Sequence, residues 1–397
     1  MKHNQTGVYV HFPWCLAKCP YCDFVSYAKE RTAIDHSGYA DAVLRELDAR
    51  REAIGDRFVG SIFFGGGTPS LWEPRELGRV LRAIREHFSC APDLEITVEC
   101  NPTSLDRERA AALMDAGVGR LSIGTQSLRA EQLRFLGRLH DSAGALAAIH
   151  DALAAGVPRI STDIIFGLPD QSAEDARDQA LALADLGLTH LSCYQLTIEP
   201  GTQFGELARR GRLPLADDGR TADAFLAIDE ALSSRGFRHY EISNYAQAGE
   251  ESRHNLGYWR GEEYIGLGCA AFGCIRPDAA EPSRVRYRNA IDPKRYIEGT
   301  STMRSDRTGE GDGLSMFSER VDPEALLREK IMLGLRTEEG VDLEASARDL
   351  DVEAWPRDRR RAADRLASMN RLTIEGGHLS IPRSAWLFTD DTAARLF

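Results

Sequence analysis

The sequence has 397 residues, 43% hydrophobic and 28% charged, enough for two or three domains of about 150 residues each and for a core without staples. Its 49 basic against 61 acidic residues give a net charge of −12, which argues against nucleic acid or an anionic membrane surface as a partner. No apolar run reaches the ~18 residues of a spanning helix, MKHNQTGVYVHFPWC has no signal-peptide pattern, and eight cysteines are too few for a disulfide scaffold; a cytoplasmic chain without a membrane span is expected.

Six strands are predicted in chain order: VYVHF (8–12), SIFF (61–64), EITVE (95–99), RLSIG (120–124), STDIIF (161–166) and HLSCYQL (190–196). Their continuous apolar character fits parallel strands buried on both faces. Helices are predicted at 39–54, 74–87, 106–116, 142–155, 173–186 and 221–234, three of them stopped by Gly117, Gly156 and Gly187. A seventh strand follows at 238–242. The alternation predicts an α/β fold, doubly wound or barrel-like, with its site at the C-terminal strand ends. Residues 1–245 form this first domain. Residues 246–312 are an irregular aromatic extension ending in a polar linker at 305–312. Residues 313–397 are a small helix-rich domain closing in a hairpin at Gly376–Gly377, winged-helix-like in outline. The basic run 357–361 reads as a solvated helix face.

Cys15, Cys19 and Cys22 stand in the spacing C-x3-C-x2-C directly after the first strand. Three chemistries compete for them. Cys19 and Cys22 alone form a C-P-Y-C dithiol of the glutaredoxin kind, which leaves Cys15 over. A structural zinc site needs a fourth ligand, for which His11 is the candidate. A [4Fe–4S] cluster on three thiolates keeps one iron open for the amino and carboxylate groups of a ligand. This last spacing, after the first strand of a partial α/β barrel, is the signature of radical S-adenosylmethionine (SAM) proteins.

Other polar motifs sit beyond the strands. GGGTPS (65–70) lacks the lysine of a phosphate loop, and its glycines let backbone approach a ligand closely. Tyr9 shares a strand face with His11. Glu99 and Asp163 offer acceptors, Arg138 a bidentate fork, and Gln126 both donor and acceptor. HNLGYW (254–259) places a histidine and two aromatics within six residues.

Ten ordered motifs, among them YVHFPWCLAKCPYCDF, GGGTPS, VECNP, RLSIGTQS, DIIFGLPDQ, YEISNYA and HNLGYW, resemble the HemW family of haem chaperones, which belongs to the same group as the oxygen-independent coproporphyrinogen III oxidases. They span about residues 7–300. The resemblance implies a radical SAM partial (β/α)6 barrel. It implies a [4Fe–4S] cluster on Cys15, Cys19 and Cys22, with SAM contacted by Tyr9, Gly66, Gly67, Thr68, Glu99, Gln126, Arg138 and Asp163. It implies haem as cargo with His254 as its ligand, acceptor haemoproteins that include membrane-associated respiratory proteins, and a homodimer. The oxidases usually carry a fourth cysteine two residues after the third, where this chain has Phe24. They also carry an extension before the cluster, for which Cys15 leaves no room. Haem transfer is therefore preferred over porphyrinogen decarboxylation. Cys269 and Cys274, where the family tends to small residues, read as packing thiols, with auxiliary soft ligands as the alternative, and Cys90, Cys100 and Cys193 as ordinary core or near-strand residues.

Overall fold

The computed structural model describes residues 5–55, 57–277, 281–303 and 314–397. Six strands run as parallel neighbours: β1 (Gln5–Phe12), β2 (Phe58–Gly66), β3 (Ser89–Cys100), β4 (Arg120–Gln126), β5 (Arg159–Phe166) and β6 (His190–Gln195). They contain the six predicted strands almost entire. β2 and β5 bury nearly every side chain, so they show no alternation in sequence. The intervening helices include His36–Ile54, Pro74–His87, Ser142–Ala155 and Asp218–Ser234. The first begins three residues earlier than expected, because the Asp35 carboxylate accepts from the Gly38 backbone and caps it.

Both edges of the sheet extend further than the sequence shows. The single strand expected at 238–242 is a hairpin of β7 (Arg238–Glu241) and β8 (Asn244–Ala246), with β8 antiparallel to β6. The stretch expected to be irregular contributes the helix Arg253–Trp259 and three strands, β9 (Tyr264–Leu267), β10 (Phe272–Ile275) and β11 (Arg284–Asn289); β12 (Ser315–Val321) completes the edge. β9 lies parallel to β1, and β10 to β12 follow antiparallel. Among the described residues the order is β12-β11-β10-β9-β1-β2-β3-β4-β5-β6-β8-β7. β9 and β10 are four residues long and glycine-bearing, too short for a periodic signal. The linker expected at 305–312 lies outside the described residues.

The main core packs the helices on this sheet through residues such as Val10, Leu47, Ile62, Leu81, Val98 and Leu191. A second core, with Leu327, Ile331, Leu343, Ala363 and Leu379, belongs to the C-terminal region. There the helices Pro323–Gly334, Leu343–Leu350 and Arg357–Ser368 pack with a three-stranded antiparallel sheet, β13 (Val341–Asp342), β14 (Thr373–Glu375) and β15 (His378–Ser380). This is the winged-helix-like outline, with β14 and β15 turning at Gly376–Gly377. The run 357–361 is only partly a solvated face: Arg359 is buried, pairing with Glu324 at 2.8 Å and donating to the Leu396 carbonyl. Among the described residues no helix is long and apolar enough to cross a membrane.

Candidate cofactor site

The loop carrying the three cysteines is fastened at both ends. Trp14–Cys15 pairs in parallel with Tyr27–Ala28, closed by Tyr27 N to Pro13 O and Lys29 N to Cys15 O, each 2.8 Å. A turn from Cys19 O to Cys22 N sets the spacing of the last two thiols. Tyr21 and Pro20 rest on the helix Gln203–Arg209, where Phe204 N donates to Pro20 O.

The glycine loop after β2 is zipped against this segment. Gly67 N donates to Phe12 O at 2.7 Å and Thr68 N to Trp14 O at 2.8 Å. A Cβ on Gly67 would stand 2.6 Å from Trp14 O, so the close approach requires glycine. Gly66 has φ +107° and donates to Glu99 Oε2. Thr68 Oγ1 donates to Cys15 Sγ at 3.3 Å.

These elements frame a cleft of about 530 Å³ at the C-terminal ends of the strands. Cys15, Cys19, Cys22, Gly66, Gly67, Thr68, Glu99, Gln126, Arg138 and Asp163 all line it. Its volume lies within the roughly 300–1,000 Å³ of small-molecule sites. Gln126 holds φ +66° where β4 ends in a register shift, a strained backbone of the kind found at ligand clamps. Burial pushes Glu99 up to about 8, helped by the charge of Asp163, and pushes Asp163 itself up to about 6 despite the Ser192 and Ser122 hydroxyls. Two buried carboxyls of this kind favour a cationic guest, which restores their ionised form. Tyr194, Asn101 and Glu199 also line the cleft. Tyr194 opens the YQLTIEPGT motif, and its polar residues directly after a buried strand were the available sign.

Three thiols on one loop are soft ligands of the kind that iron–sulfur clusters and zinc take. All eight cysteines are free, and only Cys15, Cys19, Cys22 and Cys90 are partly exposed. Burial holds Cys22 up near 11 and Cys15 above the usual thiol range, so a bound cluster would have to displace their protons. Among the described residues no three of His, Cys, Asp or Glu gather closely enough for one metal ion. His11, the candidate fourth zinc ligand, has both nitrogens engaged, Nε2 with Val25 O at 2.8 Å and Nδ1 with the Tyr9 hydroxyl at 3.0 Å. Cys269 and Cys274 are buried, and Cys269 Sγ donates to Ile291 O.

Two expected residues lie elsewhere. Tyr9 and His254 line a separate chamber of about 150 Å³ beneath Glu99 and Asp163. Tyr9 stacks on Phe63, and its hydroxyl is held by His11, so its ring supports the floor of the cleft. His254 is 3% exposed. Its Nδ1 is 2.9 Å from Ser61 Oγ, its ring stacks on Phe63 at 4.8 Å, and its Nε2 is buried without a hydrogen-bond partner. The chamber is smaller than a haem macrocycle.

Comparison with known proteins gives this geometry a family. Residues 9–183 match the radical SAM superfamily, and residues 321–388 match the HemN C-terminal domain. The chain is 38% identical over 302 residues to "Heme chaperone HemW" of Haemophilus influenzae, covering 75% of this chain and 77% of that protein. It is 40% identical over 301 residues to the Escherichia coli protein of the same name, covering 75% and 78%. The chain belongs to the HemW heme chaperone family. Its fold matches the solved coproporphyrinogen III oxidase HemN of Escherichia coli, with a TM-score of 0.80, 18% identity, and 99% and 90% of the two chains covered. At that identity the likeness is one of fold alone. The radical SAM match, residues 9–183, spans the cysteine loop, the glycine loop and the strand-end carboxyls together.

Proposed function

We propose that this chain binds haem and passes it to acceptor haemoproteins, with a [4Fe–4S] cluster on Cys15, Cys19 and Cys22 and SAM in the adjoining cleft. The observation that carries the reading is the shared cleft, in which three thiols from one loop face the Gly66–Thr68 backbone and the Glu99–Asp163 pair. Such a cluster supplies an open iron for the amino and carboxylate groups of SAM. The protein's own groups do the rest. Arg138 is placed to meet a carboxylate, Glu99 and Asp163 to neutralise the cationic end, and Gly66 and Gly67 to bring the backbone against the methionine portion. Gln126 offers a donor and an acceptor to the nucleoside portion. Tyr9 acts from below by keeping His11 and the floor in place.

Phe24 separates this reading from its rival, porphyrinogen decarboxylation. Its ring lines the cleft and is 57% exposed, where the oxidases usually have a further cysteine. The proposed acceptors include membrane-associated respiratory haemoproteins, served from the cytoplasm by a homodimer.

The experiment is anaerobic reconstitution followed by iron and sulfide analysis, a hemin titration, and a turnover assay with coproporphyrinogen III. About four irons per chain, saturable hemin binding and no decarboxylation are expected. A colourless zinc protein would sink the cluster reading, and robust decarboxylation would restore the oxidase.

A further inference from the structure

The top edge of β10, β11 and β12 carries a feature that the cleft does not use. Strand register places Phe272 opposite Arg288 and Arg288 opposite Phe317. Directly opposed residues on antiparallel strands share a face, so the three form one row across three strands. The guanidinium of Arg288 lies over the Phe272 ring, 4.8 Å from its centre. Phe272 and Phe317 remain 39% and 43% exposed, which is costly for large aromatics without a partner. The row adjoins the cysteine loop: Tyr27 donates to Ile291 O, and Ile291 N donates to the Met316 sulfur beside Phe317.

Arg288 differs from Arg286 and Arg320 in charge pairing. Arg286 is paired with Glu319 and Glu329, and Arg320 with Glu281. Among the described residues Arg288 has no ion-pair partner, and its Nε is buried without a hydrogen bond. An unpaired guanidinium between two exposed rings fits a flat apolar ligand that carries carboxylates. The two phenylalanines stand two strand spacings apart, about 10 Å, the breadth of a porphyrin ring.

We propose that the Phe272–Arg288–Phe317 shelf is the seat of the haem cargo, with the macrocycle against the two rings and a propionate on Arg288. This rests on the haem-transfer reading above and locates it outside the His254 chamber. An open shelf gives the two faces of the macrocycle unequal cover, which suits a ligand that must leave.

The test is a hemin titration of the full chain, followed by absorbance and by quenching of tryptophan fluorescence. The pair Phe272→Ala/Phe317→Ala should weaken hemin binding at least tenfold. Arg288→Gln should weaken it about fivefold or more, and Arg288→Lys should recover part of the loss. Wild type should prefer hemin to its dimethyl ester, and Arg288→Gln should lose that preference. Unchanged iron content and circular dichroism establish that the variants fold. Hemin bound by wild type and equally well by all variants overturns the shelf and leaves the haem reading standing. No hemin bound by wild type overturns both. Variants that change only the sedimentation coefficient make the row a contact between copies of the chain, which also overturns the proposal.

Discussion

Arg138 and Cys19 are linked directly: the Nη1 of the guanidinium donates to the thiol at 3.4 Å while its Nη2 holds the Gly124 carbonyl at 2.9 Å. Its Nε is buried with no partner. One arginine thus ties the cysteine loop to the end of β4 and brings its positive charge to the cleft. A charge-assisted hydrogen bond contributes about 1.5–3 kcal/mol, roughly ten- to a hundredfold in affinity. Arg138→Gln should therefore raise the SAM dissociation constant at least about tenfold, measured by calorimetry under anaerobic conditions. Iron content should stay at the wild-type level, because all three thiols remain.

Glu99 should make cofactor affinity depend on pH. Its carboxyl, raised to about 8 by burial and then by Asp163, is mostly protonated at neutral pH. A cationic ligand favours the carboxylate, so affinity should rise from about pH 6 to 8 and level off above. Glu99→Gln should flatten that rise. The same shift affects stability with the opposite sign. The folded chain retains a proton that the unfolded chain releases near pH 4.5, so stability falls as pH climbs from about 4.5 to 8. Unliganded Glu99→Gln should accordingly be more stable than wild type at pH 8, by on the order of 4 kcal/mol, and the gap should shrink to below about 1 kcal/mol by pH 5. Urea unfolding at the two pH values measures it.

His254 should show its burial in acid. Burial holds its pKa down at about 3, and His11 and His140 sit near 4. The unfolded chain takes up these protons near pH 6.5 and the folded chain does not, so stability is full above that value and is lost as pH falls toward 4. His254→Ala also empties a packed position against Phe63 and Tyr258, at a cost of about 2–4 kcal/mol. Denaturation at pH 7 and pH 5 should show a smaller difference for the variant than for wild type. If haem sits on the proposed shelf, the hemin affinity of this variant should match wild type.

Glu46 should be among the most damaging positions outside the cleft. Its carboxylate accepts from Arg50, Asn289, Tyr296 and the Gly268 backbone, all buried. It thereby fixes the helix His36–Ile54 to the sheet edge that carries the shelf. Removing one partner of a buried ion pair costs about 3–5 kcal/mol. Glu46→Ala should fall by that amount in chemical denaturation, and Glu46→Gln, which keeps part of the network, by less.

The legible parts of this molecule are those whose signal is local. β1 to β6 declare themselves because each is an apolar run followed by a polar loop, and the cysteine spacing lies within eight residues. Even the cleft was legible as a set, since strand-end residues of a parallel sheet converge whatever the exact register. The shelf was not, because Phe272, Arg288 and Phe317 meet only through the pairing of β10, β11 and β12, and register is invisible to composition. The setting of His254 was not legible for a related reason. Its motif announces an imidazole among aromatics, but only the packing of Arg253–Trp259 against β1 and β2 shows that the ring points inward, onto Ser61 and Phe63.

The short ladder between Trp14–Cys15 and Tyr27–Ala28 bears on the order of assembly. It closes the cysteine loop with backbone bonds alone, and none of the three thiols belongs to either hydrophobic core. Small zinc domains spend metal-binding energy on folding itself; here the polypeptide already supplies the loop's shape. On the proposed cluster, maturation would separate into two events, a chain that folds first and iron that arrives afterwards. Oxidative loss of the cluster would leave a folded protein ready to be refilled rather than one marked for degradation.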